Sequence, residues 1–237
     1  MSDFLSGLRD GAGLLLSGDP EVWGIAWLSL RVSLTATICA VLLGVPLGAA
    51  LAHRRPSREA GRIAPGRTIA LGAVNAGMGL PPVVAGLIVS MLLWRNGPLG
   101  ALHLLYTPAA MAVAQAVIAT PVVAGLTAAA LNGLDPGYRL QLRSLGAGPL
   151  RETWLLLREA RVGMLAAVVA GFGAVISEVG AAMMVGGNIK GQTRVLTTAT
   201  VLEVNRGHFD TAIALSFVLL VLVYAVALLL TIAQGRR

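Results

Sequence analysis

The stretch Asn132–Arg161, NGLDPGYRLQLRSLGAGPLRETWLLLREAR, lies between two apolar runs and carries five arginines: Arg139, Arg143, Arg151, Arg158 and Arg161. It is far longer than a tight turn between neighbouring helices requires. Asp135 ahead of Pro136 has the form of a helix N-cap followed by proline at the first helical position. Gly146 and the pair Gly148-Pro149 interrupt the chain before a second helical run begins at Leu150. The pattern predicts a short helix, a bend and a longer helix leading back into an apolar phase. A folded, basic connector of this kind, on one face of a membrane protein, is a surface that a soluble partner can grip.

Composition requires the membrane. Of 237 residues, 56% are hydrophobic and 12% charged, about half the charged share of an ordinary soluble domain. That leaves too little polar surface to cover a water-soluble globule, so lipid is the solvent for most of the chain. The net charge is +7, and Lys190 is the one lysine among 18 basic residues. No aromatic-interleaved basic patch points to nucleic acid; arginines in loops beside apolar runs are the membrane pattern. The single cysteine, Cys39, sits in an apolar run and reads as a small hydrophobe. Residues 1–22 lack the basic start and apolar core of a secretory signal, and read as an amphipathic segment on the membrane surface.

Five spans are predicted, at about 32–51, 69–94, 108–131, 162–185 and 212–232, around a connecting loop at 132–161, all in one membrane domain. Trp23 and Trp27 then serve as interfacial anchors, with Arg31 at the edge of the first span. Gly44 and Gly48 form a small-xxx-small pair suited to close helix contact. The second span is interrupted by Gly79-Leu80-Pro81-Pro82. Pro81 and Pro82 remove two backbone donors, so the break is either a packing kink or a segment lining a water-filled path. Loop one, His53–Arg67, holds five arginines, as does 132–161, whereas the loop Arg95–Thr107 holds one. The basic loops belong in the cytoplasm, which puts the N-terminus outside and the C-terminus, ending in Arg236-Arg237, inside. Lys190, Arg194 and Arg206 then lie outside against the general bias, where they would meet an anion or lipid phosphates.

Chemistry-bearing residues are few. Glu178 is the one acid well inside a predicted span, about 24 Å along it from Val162. A charge at that depth calls for a partner, and Arg194 or Arg31 is the expected one, in a gate or a structural pair. Asn188, Thr193, Arg194, Thr197 and Thr198 form the densest polar cluster beside a span. Hydroxyls, an amide and a guanidinium suit a tetrahedral oxyanion, although an ordinary lipid-facing loop would look similar. No histidine has a metal-ligand partner at helical spacing, and neither Gly-x-Ser-x-Gly nor a Walker A pattern occurs. No catalytic residue, metal site or bound cofactor is therefore expected.

Several motifs together resemble a known family. They include Ser29–Thr35, SLRVSLT; Gly79–Val84, GLPPVV; Gly97–Gly100, GPLG; Ser144–Ala147, SLGA; Ser177–Gly180, SEVG; Gly186–Ile189, GGNI; and Thr193–Thr198, TRVLTT. From Asp19 to about Leu222 the chain resembles the transmembrane permease of an ABC importer of the tungstate/molybdate type. The family's cytoplasmic signature is Glu-Ala-Ala, three residues, Gly, nine residues, Ile, one residue, Leu-Pro. With its glycine on Gly146, Leu140-Gln141-Leu142 stand in the Glu-Ala-Ala place, Leu156 replaces the isoleucine, and Arg158 and Glu159 stand for Leu-Pro.

The resemblance implies an all-α membrane protein of the type I importer fold, like molybdate and methionine permeases: about five spans plus a cytoplasmic coupling helix near Pro136–Leu145. It implies a homodimer in a bacterial or archaeal cytoplasmic membrane, two ATPase subunits that hold ATP and magnesium, and an extracytoplasmic binding protein that delivers the oxyanion. Asp135, Tyr138, Arg139, Arg143, Ser144, Leu145, Gly146 and Ala147 would couple to the ATPase. Pro81, Pro82, Glu178, Asn188, Thr193, Arg194, Thr197 and Thr198 would serve the path or gate. The competing readings are a proton-coupled secondary transporter working through Glu178, which would run without an ATPase, and an integral membrane enzyme or assembly factor, for which paired acids, histidines or serines at one depth are lacking.

Overall fold

A computed structural model of the protein describes residues 18–53 and 65–235, with isolated positions at 9 and 13. The surface segment expected at the N-terminus, most of the arginine-rich loop one and the final Arg236-Arg237 lie outside the described residues. All regular structure within them is helical.

Helix α1 (Pro20–His53) begins at Pro20, well before the expected start of the first span. Asp19 explains the start: its Oδ1 accepts from the amides of Glu21 and Val22 at 2.9 and 3.1 Å, and proline follows at the first helical position. Trp23, Trp27 and Arg31 are thus parts of one long helix that continues into the span. Helices α2 (Pro65–Met78) and α3 (Pro82–Leu93) meet at 103° across the Gly79–Pro81 break. This is a near-right-angle turn, much sharper than a packing kink. The Gly79 and Leu80 amides donate to the Ala76 and Gly77 carbonyls, while the Pro81 carbonyl accepts from Val84 and Ala85, so the turn satisfies part of its backbone locally. A 3-10 turn (Gly100–Leu102) follows.

Helix α4 (Pro108–Asn132) is the central post, capped by Thr107. Its buried face is mostly small: Ala110, Ala114, Ala119, Ala124 and Ala128 are all buried. Helix α1 comes very close to it. A Cβ on Gly44 would lie 2.9 Å from the Thr120 carbonyl oxygen, and one on Gly48 would run into the Ala124 carbonyl. Backbones approach this closely only where a side chain is missing, which is how small residues build helix contacts when lipid offers no hydrophobic drive.

The connector folds into helices α5 (Pro136–Ser144) and α6 (Pro149–Glu159), the latter turning by 76° into α7 (Arg161–Ile176). The expected continuous fourth span is interrupted at Ser177–Val179 before the short helix α8 (Gly180–Gly186). No proline marks this break. Tertiary bonds hold it, since the Thr197 hydroxyl donates to the Glu178 carbonyl at 3.0 Å and the Ser90 hydroxyl to the Met184 carbonyl at 3.1 Å. Helices α9 (Leu196–Asn205) and α10 (Phe209–Gly235) complete the chain. Pro20–Ala52, Pro108–Asn132 and Phe209–Ile232 are each long and apolar enough to cross a membrane, and up to five spans result if each bent pair counts as one.

Candidate functional sites at the two ends of α1

The arginine-rich hairpin sits at the C-terminal end of α1. Asp135 Oδ1 accepts from the Gly137 amide at 2.6 Å, closing the N-cap. Helix α5 ends in a glycine stop: the Gly146 amide donates to the Arg143 carbonyl and the Ala147 amide to the Leu142 carbonyl, both at 3.0 Å. Gly146 has φ +77°, the left-handed conformation this motif needs. Its hydrophobic contact is also present, since Leu142 and Ala147 share one cluster with Ala49, Ala52, Leu131 and Leu156, on which Tyr138 also packs. The Ser144 hydroxyl donates to the Gln141 carbonyl.

Two arginines lock the hairpin. Arg139 is buried and donates from Nη1 to the Ala52 carbonyl at 3.3 Å, tying α5 to the end of α1. Arg143 grips Glu152 with a two-pronged pair, Nε to Oε2 at 2.9 Å and Nη2 to Oε1 at 3.2 Å. That hydrogen bond, and then the carboxylate charge, push the Arg143 guanidinium above its usual value, with burial opposing. The Arg143 side chain is 58% exposed and that of Glu152 only 5%. Arg143→Ala should therefore destabilise the hairpin by about 1–2 kcal/mol, discounted from a fully buried pair. Hydrogen–deuterium exchange over α5 and α6 would quicken accordingly, with Arg143→Lys in between because an ammonium lacks the fork; unchanged exchange would show that the pair holds nothing.

Leu140, Leu145, Leu150 and Trp154 are exposed on the same hairpin, Leu145 at 84%. Leu150 and Trp154 were not among the expected site residues. Their signal in the sequence is faint: large apolar residues on the outer side of two short, basic helices.

At the other end of α1, about 30 Å away at 1.5 Å per residue between Arg31 and Ala52, lies the second expected cluster. The structure brings Glu178, Asn188, Thr193, Thr197 and Thr198 together, but their polar groups largely bind backbone. Thr193 Oγ1 donates to the Gly186 carbonyl at 2.6 Å and accepts from the Ile189 amide. Thr198 Oγ1 accepts from the Val195 amide, and Asn188 Nδ2 donates to the Thr198 carbonyl at 3.4 Å. The Ser29 hydroxyl accepts from the Leu196 amide at 2.8 Å, joining this loop to α1. Glu178 is buried, and its Oε1 accepts from the Ala181 amide at 2.9 Å at the start of α8. Among the described residues it makes no ion pair, so the expected Arg194 or Arg31 partnership is replaced by a helix N-terminus, where backbone N–H groups offer the positive end of the dipole.

The basic residues of this loop divide. Lys190 pairs with Glu21 at 2.7 Å, and Arg206 with Glu203 at 3.0 Å. Glu203 also meets His208 at 2.9 Å; that hydrogen bond, with help from Arg206, holds its carboxyl below the usual range. Among the described residues Arg194 and Arg31 have no carboxylate partner. Pro81 and Pro82 stand at the α2–α3 turn, on different elements from the threonine loop.

Comparison with known proteins agrees with this architecture. Residues 44–236 match the model of the binding-protein-dependent transport system inner membrane component family. The chain is 39% identical over 228 residues to the tungstate uptake system permease protein TupB of Peptoclostridium acidaminophilum, covering 95% of this chain and 96% of that one. It is 37% identical over 207 residues to a probable anion ABC transporter permease of Haloferax volcanii, covering 85% and 86%. Among solved structures, an inward-facing form of the MetNI methionine ABC transporter shares the fold, with a TM-score of 0.69 at 22% identity over 92% of this chain and 96% of that one. End-to-end sequence similarity and a common helical framework lead to one conclusion: the protein belongs to the binding-protein-dependent transport system inner membrane component family, the multi-pass permeases of ABC importers that work with a binding protein and an ATPase.

Proposed function

We propose that the chain is the permease subunit of an importer for a tetrahedral oxyanion, tungstate first and molybdate second. The observation that carries the choice of anion is the 39% identity, along nearly the full length, to a tungstate uptake permease. Two copies would form the pore, with a binding protein delivering the anion on one side and two ATPases engaging the hairpin on the other. ATP and magnesium would be held by those ATPases. In this scheme the hairpin lies in the cytoplasm, the N-terminus outside and the C-terminus inside.

Helix α5 serves as the coupling element, presenting Leu140, Leu145 and the glycine stop to the ATPase, with Asp135 and Ser144 closing its ends. Tyr138, Arg139, Arg143 and Ala147 hold it to α1 and α6. A rigid helix fastened this way passes on a displacement that a loose loop would absorb. Pro81 and Pro82 shape the α2–α3 break and Glu178 and Thr197 the α7–α8 break, where irregular backbone can line a polar path; Asn188, Thr193 and Thr198 brace the loop beyond α8, and Arg194 supplies charge for the anion.

The test is uptake of tungstate into proteoliposomes holding the permease, its ATPase and its binding protein. The expected result is uptake that needs ATP and all three components. Tungstate uptake driven by a proton gradient with the ATPase left out would overturn the proposal in favour of secondary transport through Glu178.

A further inference from the structure

One face of the first turns of α1 and the loop before α9 enclose an open pocket of about 480 Å³. Glu21, Gly24, Trp27 and Arg31 recur along α1 at helical spacing, and Lys190 and Arg194 close the opposite wall. Three cations face one carboxylate. Glu21 is held by Lys190, and neither guanidinium has a carboxylate partner among the described residues. Arg194 is the firmer of the two. Its amide, with those of Gln192 and Thr193, donates to the single Ile189 carbonyl, and its neighbours Thr193 and Val195 are buried. Its Nε is itself buried and has no hydrogen-bond partner among the described residues, a donor that an arriving acceptor would satisfy. Trp27, 64% exposed, stands at the rim, where an indole marks the headgroup level of a bilayer.

We infer that this pocket is an anion-binding site for a tetrahedral oxyanion group, gripped by the guanidinium groups of Arg194 and Arg31. Guanidinium is the side chain matched in shape to oxygen pairs on phosphate-like groups. Lys190 adds a third donor as Glu21 releases it. The group is either a free oxyanion or the phosphate of an anionic lipid, which share this chemistry. The inference rests on the import proposal only for the choice of tungstate as a probe.

Gly24 provides a variant that leaves every charge in place. A Cβ there meets nothing within 4 Å, so Gly24→Leu fills the pocket without a clash and removes a helix-weakening residue. The permease alone is placed in phosphatidylcholine nanodiscs, and bound tungstate is counted by equilibrium dialysis with elemental mass spectrometry. In parallel, phosphatidylglycerol retained from mixed micelles is counted by native mass spectrometry. Arg194→Gln and Gly24→Leu are each expected to weaken binding by at least about tenfold, the loss of one charge-assisted contact. Loss of tungstate binding identifies a free-oxyanion site, and loss of one lipid with no tungstate bound identifies a headgroup site; either result supports the inference. It is overturned if the wild type binds neither ligand, or if both folded variants bind as the wild type does. ATP-driven uptake that persists in that case would leave the import proposal standing.

Discussion

Gly146→Pro is expected to lower ATP-driven tungstate uptake by at least about tenfold while the protein still inserts and folds, because the substitution is incompatible with both features of the residue's backbone. Proline fixes φ near −65°, whereas Gly146 has φ +77°. Proline also lacks the amide that donates to the Arg143 carbonyl. The stop at the end of α5 cannot form, so the path from α5 into α6 changes direction. The damage stays local, since the α1–α4–α7 packing is made elsewhere. Gly146→Ala is the control: its Cβ faces open space and the left-handed conformation costs only about 1–2 kcal/mol, so most uptake should remain. Wild-type transport by a well-folded Gly146→Pro protein would remove α5 from the coupling path.

The largest stability effect is expected where α1 crosses α4. A leucine at Gly48 would collide with the Ala124 carbonyl and would place its Cβ 2.7 Å from that of Thr127. Backbone cannot yield as a flexible side chain can, so the helices must separate and lose contact along the neighbouring turn at Gly44. Gly48→Leu should cost about 3 kcal/mol, a fall of about 6–12 °C in the thermal midpoint of a domain this size. Gly72→Leu on α2 makes a matched comparison, because a Cβ there meets nothing within 4 Å. Equal midpoints for the two variants would show that the close crossing contributes little to stability.

Much of the fold is legible in local chemistry. Asp135-Pro136, Gly146 and Gly148-Pro149 place the boundaries of α5 and α6 because caps, prolines and left-handed glycines act within a few residues of themselves. Gly79–Pro82 likewise announces the α2–α3 turn, though not its sharpness. The start of α1 carries the same Asp-Pro signature at Asp19-Pro20, yet hydropathy alone points to Val32, since the intervening tryptophans and Arg31 resemble a flank. The break at Glu178 is illegible for a different reason: although Ala181 is only three residues on, the Thr197 and Ser90 hydroxyls that hold the break arrive only once distant elements pack. The same is true of the threonine cluster. Taken in sequence, Thr193, Thr197 and Thr198 look like free donors; packed, their hydroxyls serve backbone groups, and Arg194 and Arg31, without a carboxylate partner among the described residues, are left as the features that point to an anion.

Helix α1 runs from the pocket at its start to the Arg139–Ala52 clasp at its finish, with Pro46 inside it. Pro46 withdraws one backbone donor between Gly44 and Gly48, so a displacement of the clasp can bend α1 where it crosses α4 as well as tilt it. The glycine crossing at Gly44 and Gly48 is where the tilt would pivot. It lies much closer to the clasp than to the pocket, so whatever tilt passes the crossing is enlarged at the far mouth.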